Sequence, residues 1–173
     1  RADGDLTVLE PDENLGGGAD DVVIALARCL GTTQRSVIDI VTDRGWSDAA
    51  ATLIDIDRLI ERHGATIVES GLWHGDFTPW NMASSDDERL VWDWEFAGDD
   101  RPVGLDLIHR EMERVRRSSA NNEDAAVNAA MAYRSTSLPF EDAQAEAVRC
   151  LYLAEIIARE TIAAMRKDVT AKC

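Results

Sequence analysis

The sequence predicts an α+β fold that is predominantly helical, built around one small β-hairpin. Three observations lead there. Apolar residues recur at helical spacing over about 20–30 and 47–64. The same spacing returns from about 105 to 167. Between 66 and 95 the pattern shortens to strand-like runs interrupted by Gly, Pro and a polar turn. A length of 173 residues is that of a single domain with room for a substantial core.

The elements follow in order. Leu6–Leu9 alternates weakly and reads as a short strand. Residues 11–18 carry Pro, Asp, Asn and three consecutive glycines, so 1–18 reads as a linker or remnant. Gly16-Gly17-Gly18 lacks the spacing of a phosphate-cradling loop. Asp20 or Asp21 caps a helix to about Leu30, with Gly31 as its stop; Val23, Ile24, Ala27 and Leu30 form its stripe. Ser47 caps a second helix that ends at Gly64, with Leu53, Ile56, Leu59 and Ile60 on its buried face. His63, in its last turn, is given a structural role. Thr66–Val68 is β-prone, and Gly71-Leu72-Trp73 leads into a polar motif. Met82-Ala83 and Leu90-Val91-Trp92 are strands flanking the turn Ser84–Glu88, which makes a hairpin. After Pro102 helices are expected over Leu105–Arg117, Glu123–Tyr133 and Phe140–Lys167, the last opened by Ser137 and Pro139. Ala147, Val148, Leu151, Leu153, Ile156, Ile157 and Ile162 cover much of that last helix, which marks it as a central packing helix.

Composition excludes several classes. An apolar fraction of 45% and a charged fraction of 29% are those of a globular protein. No apolar run is long enough to cross a bilayer, so no membrane partner is expected. Arg1-Ala2-Asp3-Gly4-Asp5 is polar and is no signal segment. A net charge of −15 repels nucleic acid. Arg114, Arg116 and Arg117 read as a solvated helix face. Cys29, Cys150 and Cys173 form no CxxC pair, which argues against structural zinc and for a reducing cytoplasm. Cys29 and Cys150 are expected to be buried thiols.

Residues 74–95 carry the chemistry. They read His74-Gly75-Asp76-Phe77-Thr78-Pro79-Trp80-Asn81, then Asp93-Trp94-Glu95. Phosphoryl transfer asks a protein for positioning and charge neutralisation more than for covalent work. A carboxylate beside the acceptor hydroxyl orients it and takes its proton; Asp76 is the candidate. Magnesium prefers hard oxygen ligands, which Asn81 and Asp93 supply, with Glu95 as a further carboxylate. His74 is expected to bond backbone near Asp93 and hold the two halves of the motif in register. Trp73, Trp80, Trp92 and Trp94 crowd residues 73–95. Trp92 is expected in the core, and Trp80 or Trp94 against a substrate.

HGDxxxxN followed by an apolar strand ending in Asp resembles the signature of aminoglycoside phosphotransferases and choline kinases. These are small-molecule kinases with a protein-kinase-like fold. The resemblance runs on through Pro102-Val103-Gly104-Leu105-Asp106-Leu107 and is strong over residues 72–109. It implies Asp76 as catalytic base, Asn81 and Asp93 as magnesium ligands that position an ATP or GTP donor, and Asp106 as support for the active-site loops. It implies a small-molecule hydroxyl acceptor, such as an aminoglycoside, sugar or amino alcohol.

Such kinases also carry an N-terminal lobe with a glycine-rich strand pair and a Lys paired with a Glu. The only lysines here are Lys167 and Lys172, both far downstream of Asp93. The chain therefore reads as the C-terminal lobe alone: a truncated form, a proteolytic product or a decayed gene. Two other functions stay open. One is a non-catalytic binding module that keeps the lobe fold. The other is a metal-dependent phosphohydrolase using Asp76, Asp93 and Glu95. Glu111, Glu113, Glu155 and Glu160 could draw a cationic acceptor but read first as surface charges.

Overall fold

The structure is a computed structural model that describes residues 7–8, 18–46, 51, 53–84, 89–134 and 140–170. It is mixed α and β, mostly helical, and separates into two compact units. One unit takes residues 1–33 and 70–139, the other 34–69 and 140–173.

The first unit contains the hairpin. Strand β1 (Thr7–Val8) pairs antiparallel with β4 (Met82–Ser84), which pairs antiparallel with β5 (Arg89–Val91). The register sets Met82 opposite Val91 and Ser84 opposite Arg89. The hairpin is therefore as expected, although residues 85–88 of its turn lie outside the described residues. Strand β3 (Ile67–Trp73) is longer than the β-prone triplet, continuing through Gly71-Leu72-Trp73. Its later part pairs antiparallel with β6 (Gly98–Pro102), with Ser70 opposite Pro102 and Trp73 opposite Gly98. Gly71 has no room for a side chain, since a Cβ there would stand 2.2 Å from the carbonyl oxygen of Ala27.

Helix α1 (Gly18–Arg28) buries Val23, Ile24 and Ala27. It begins at Gly18, inside the glycine run, and ends before the predicted stop. Cys29 and Leu30 lie in the turn after it and are exposed, against expectation. The last turn of a stripe turns outward when the helix stops short of it. Helix α4 (Leu105–Ser118) packs on α5 (Glu123–Ala132) as a helical hairpin. Leu105, Leu107, Ile108 and Met112 of α4 are buried, as are Ala126 and Ala130 of α5. Asn122 caps α5, its side-chain oxygen accepting from Ala125 N at 3.0 Å. Asp20 ties α1 to this hairpin by pairing with Arg110 and accepting from the Tyr133 hydroxyl at 3.0 Å.

The second unit is helical apart from most of β2 and the first residues of β3. Strand β2 (Thr33–Ser36) begins at the junction of the units and runs into α2 (Val37–Arg44), neither of which the sequence pattern announced. Ser36 caps α2 through Asp39 N, and Gly45, at φ +51°, closes it. Helix α3 (Ile56–His63) is capped by Asp55, whose carboxylate accepts from Arg58 N at 3.1 Å. The predicted cap, Ser47, lies outside the described residues. Leu59 is buried, but Leu53 is 66% exposed because it precedes the turn at Ile54-Asp55 rather than lying within one continuous helix.

The long α6 (Asp142–Thr170) buries Ala147, Val148, Leu151, Tyr152, Ala154 and Ala158. It is the packing helix foreseen, although Ile162 is exposed toward its end. Ser137 and Pro139 lie outside the described residues. Glu155 of α6 is buried and pairs bidentately with Arg44. Among the described residues no helix is long and apolar enough to cross a membrane.

Candidate functional site

The site is assembled in the first unit from four pieces: the loop after β3, the 3-10 turn Pro79–Asn81, the segment after β5 and the start of α4. Gly75 lets the loop form. Its φ is +87°, and a Cβ there would stand 2.6 Å from both the Cβ and the carbonyl oxygen of Phe96. Only glycine meets both demands. Phe77 and Thr78 are buried and anchor the loop from below.

Asp106, in the first turn of α4, holds that loop by its backbone. Its two carboxylate oxygens accept from His74 N at 2.9 Å and Gly75 N at 3.0 Å. Burial pushes its carboxyl up to about 7, against the pull of those two N–H groups toward the charged form.

His74 is fully buried and its hydrogen bonds fix its tautomer. The backbone N–H of Asp76 points at Nδ1 from 3.2 Å, so Nδ1 is the acceptor. Nε2 therefore carries the hydrogen and donates to the carbonyl oxygen of Trp92 at 2.9 Å. Burial lowers the His74 pKa, which favours this neutral form; the nearby carboxylates of Asp76 and Asp93 oppose it. This bond to the residue before Asp93 is the bridge between motif halves that the sequence led one to expect.

The hairpin brings Asn81 to the same end as Asp93. Trp92 N donates to the carbonyl oxygen of Asn81 at 3.1 Å, extending the β4–β5 ladder by one bond. The Asn81 amide nitrogen donates to Asp76 twice, to its carbonyl oxygen at 2.9 Å and to Oδ2 at 3.0 Å. Both partners are acceptors only, so the amide nitrogen must face them. Asn81 Oδ1 points the other way and has no hydrogen-bond partner among the described residues.

Asp93 is exposed and stands in the left-handed region at φ +64°, heading the 3-10 turn Trp94–Phe96. Asp is one of the few side chains that tolerate that conformation. Glu95 lies on the same turn and is exposed.

These donors fit a small hard cation. No cluster of three or more His, Cys, Asp or Glu side chains suited to a metal forms among the described residues. An ion here would rest on the Asn81 amide oxygen and the Asp93 carboxylate, with water and phosphate oxygens completing its shell. That is how magnesium is usually held.

The tryptophans divide. Trp92 is 39% exposed, not in the core, because it lies one residue beyond β5. Trp94 is also 39% exposed; its ring packs 4.6 Å from that of His74 and its Nε1 donates to Val91 O at 3.0 Å. Trp80 is half-buried with the Arg117 guanidinium 3.4 Å from its ring centre. Arg117 is thus engaged rather than merely solvated. Glu111 and Glu113 pair with Arg114 and Arg116, and Glu155 with Arg44.

One residue of the site escaped the sequence reading. His109 is buried on α4, and its Nε2 lies 3.1 Å from Asp76 Oδ1. The available signal was its place three residues after Asp106, on the same helix face.

The fold and the motif geometry agree with a family comparison. Residues 31–109 match the model of the phosphotransferase enzyme family, APH. The matched segment is similar to that family and makes up a little under half of the chain. Its span ends at His109 and takes in His74, Asp76, Asn81, Asp93, Glu95 and Asp106. The phosphotransferase family implies phosphoryl transfer of a kinase-like kind, with ATP and a divalent metal in general terms. No curated protein and no solved structure gives a significant match to the chain.

Proposed function

We propose that this chain carries the acceptor-activating and metal-holding part of a small-molecule kinase. The reaction moves the terminal phosphate of ATP or GTP to a hydroxyl of a small acceptor. The observation that carries this reading is the Asn81 amide, which bonds the Asp76 carboxylate through nitrogen and leaves its oxygen for a cation. One residue thereby couples the two chemical tasks.

In this reading Asp76 orients the acceptor hydroxyl and takes its proton. Asn81 and Asp93 hold magnesium, with Glu95 as an additional carboxylate. The bound ion would neutralise charge on the phosphates. His74 and Asp106 hold the loop that presents Asp76. Trp80 and Trp94 flank the site, Trp94 with the more accessible ring.

The test is transfer of labelled phosphate from ATP or GTP, with magnesium, to a panel of aminoglycosides, sugars and amino alcohols. The assay should use the protein and its Asp76→Ala variant in parallel. Transfer that Asp76→Ala abolishes is the expected result. Unchanged turnover in that variant would sink the assignment.

A further inference from the structure

We propose that His109 is a positioning residue for Asp76, fixing the orientation in which its carboxylate meets the acceptor. This rests on the phosphotransfer reading of the same site. It adds a residue that the HGDxxxxN pattern does not contain.

Four observations support it. His109 is 1% exposed, so its ring is held by packing and not by chance contact with solvent. Its Nε2 lies 3.1 Å from Asp76 Oδ1. An ionised carboxylate only accepts hydrogen bonds, so Nε2 must carry the hydrogen and donate it. Asn81 donates to the other oxygen, Oδ2, at 3.0 Å. With a donor on each oxygen, the plane of the carboxylate is set.

The fourth observation is placement. Asp106 and His109 are three apart on α4 and so share a face. Asp106 holds the backbone of the loop at His74 and Gly75, while His109 holds the side chain at its third residue. One rigid helix therefore fixes both the loop and the group it presents. A carboxylate free to rotate about χ2 would spend much of its time misdirected. Misplacing a reacting group by about 1 Å can cost on the order of 100-fold in rate.

The test begins with NMR of the imidazole nitrogens and the side-chain carboxyl carbons. His63, His74 and His109 are the three histidines, so assignment is tractable. In the wild-type protein, His109 should show a protonated Nε2 whose hydrogen exchanges slowly. In Asp76→Ala that hydrogen should exchange fast, while Asp93→Asn should leave it unchanged. The Asp76 carboxyl carbon should shift in His109→Ala and return most of the way in His109→Gln, whose amide can donate. An unprotonated Nε2, or a hydrogen indifferent to Asp76→Ala, would overturn the proposal.

The kinetic arm uses ADP release from ATP and magnesium, with water as the acceptor. His109→Ala should lower kcat at least tenfold with KM for ATP unchanged, and His109→Gln should recover most of the loss. Equal losses in both variants, or a change confined to KM, count against positioning. The two levels of argument fail separately. Activity that survives Asp76→Ala removes the phosphotransfer reading, whereas the NMR result tests whether His109 orients Asp76 whether or not the protein turns over.

Discussion

Asp106 accepts the backbone N–H of His74 at 2.9 Å from a fully buried position. The bond costs something, since a buried carboxylate is penalised and its pKa rises to about 7 from 3.8. The sign of the consequence is fixed. A folded-state pKa above the unfolded value means that the folded form binds more protons between the two. Its contribution is fully present below about 4 and is lost as pH rises through about 7. Asp106→Asn should flatten this part of the stability profile while orphaning one N–H, at a cost of about 1–3 kcal/mol. Urea midpoints from pH 4 to 8 for both proteins check it. Parallel profiles would show that Asp106 does not titrate in this window.

His74 acts in the opposite direction. Its pKa is lowered from 6.5 by burial. Its contribution is therefore fully present above about 6.5 and is lost as pH falls through the depressed folded value. Protonation would also place a hydrogen on Nδ1, facing the Asp76 N–H that now donates to it. His74→Ala should be less stable at pH 7 but should lose less on acidification than the wild type. Because Asp106 and His74 pull oppositely, only the difference between each variant and wild type isolates either group. Thermal melts at pH 7 and pH 5 suffice, and an identical drop in both proteins would contradict the neutral tautomer.

Gly75→Ala combines two faults. It forces a side chain into φ +87° and sets a Cβ 2.6 Å from Phe96. The left-handed backbone costs roughly 1–2 kcal/mol and the overpacking about 1–3 kcal/mol. A loss of about 3 kcal/mol in urea unfolding is expected, together with loss of any activity that depends on the loop. A loss below about 1 kcal/mol would mean that the loop relaxes freely.

In the second unit, Arg44 neutralises the buried carboxylate of Glu155. Arg44→Met should cost on the order of 1–3 kcal/mol, because it removes the bidentate, charge-assisted hydrogen bonds that Arg44 gives the buried Glu155 carboxylate. The double variant Arg44→Met, Glu155→Leu should recover most of that loss. Denaturant unfolding of the pair separates the cost of removing one partner from the worth of the bridge. Equal losses in both variants would show that packing alone is involved.

The parts of this molecule that were legible share a physical cause. Met82–Ser84 and Arg89–Val91 read as a hairpin because apolar runs flank a polar turn. Helix α4 is legible because Leu105, Ile108 and Met112 obey helical spacing. Strand β2 (Thr-Gln-Arg-Ser) and β6 (Gly-Asp-Asp-Arg-Pro) did not, since they are polar in composition. Backbone pairing, as of β6 with β3, holds such a strand where side-chain pattern gives no sign of it. The site shows the same division. Asp76, Asn81 and Asp93 lie in a spacing that can be recognised in sequence, and His74 follows from the register they need. His109 meets Asp76 across 33 positions of chain, and its spacing from Asp106 gives only its helix face, not that contact. Trp92 misled because hydrophobicity was taken for burial, whereas the residue lies past the end of an edge strand.

Asp93 separates stability from function most cleanly. It stands at φ +64° with an exposed carboxylate. Replacing it by Gly removes the carboxylate but keeps the backbone conformation at no steric cost. Replacing it by Ala removes the same group and adds the left-handed penalty of roughly 1–2 kcal/mol. Gly gives back part of that advantage through its larger unfolded-state entropy, about 0.5–1 kcal/mol. Asp93→Gly should therefore be more stable than Asp93→Ala by about 1 kcal/mol. If the carboxylate holds a divalent cation, both variants should lose magnesium-dependent turnover to the same degree. Chemical denaturation ranks the stabilities, and activity across a magnesium titration ranks the function. A Gly variant that keeps turnover while the Ala variant loses it would assign the role of Asp93 to backbone shape and remove it from the metal site.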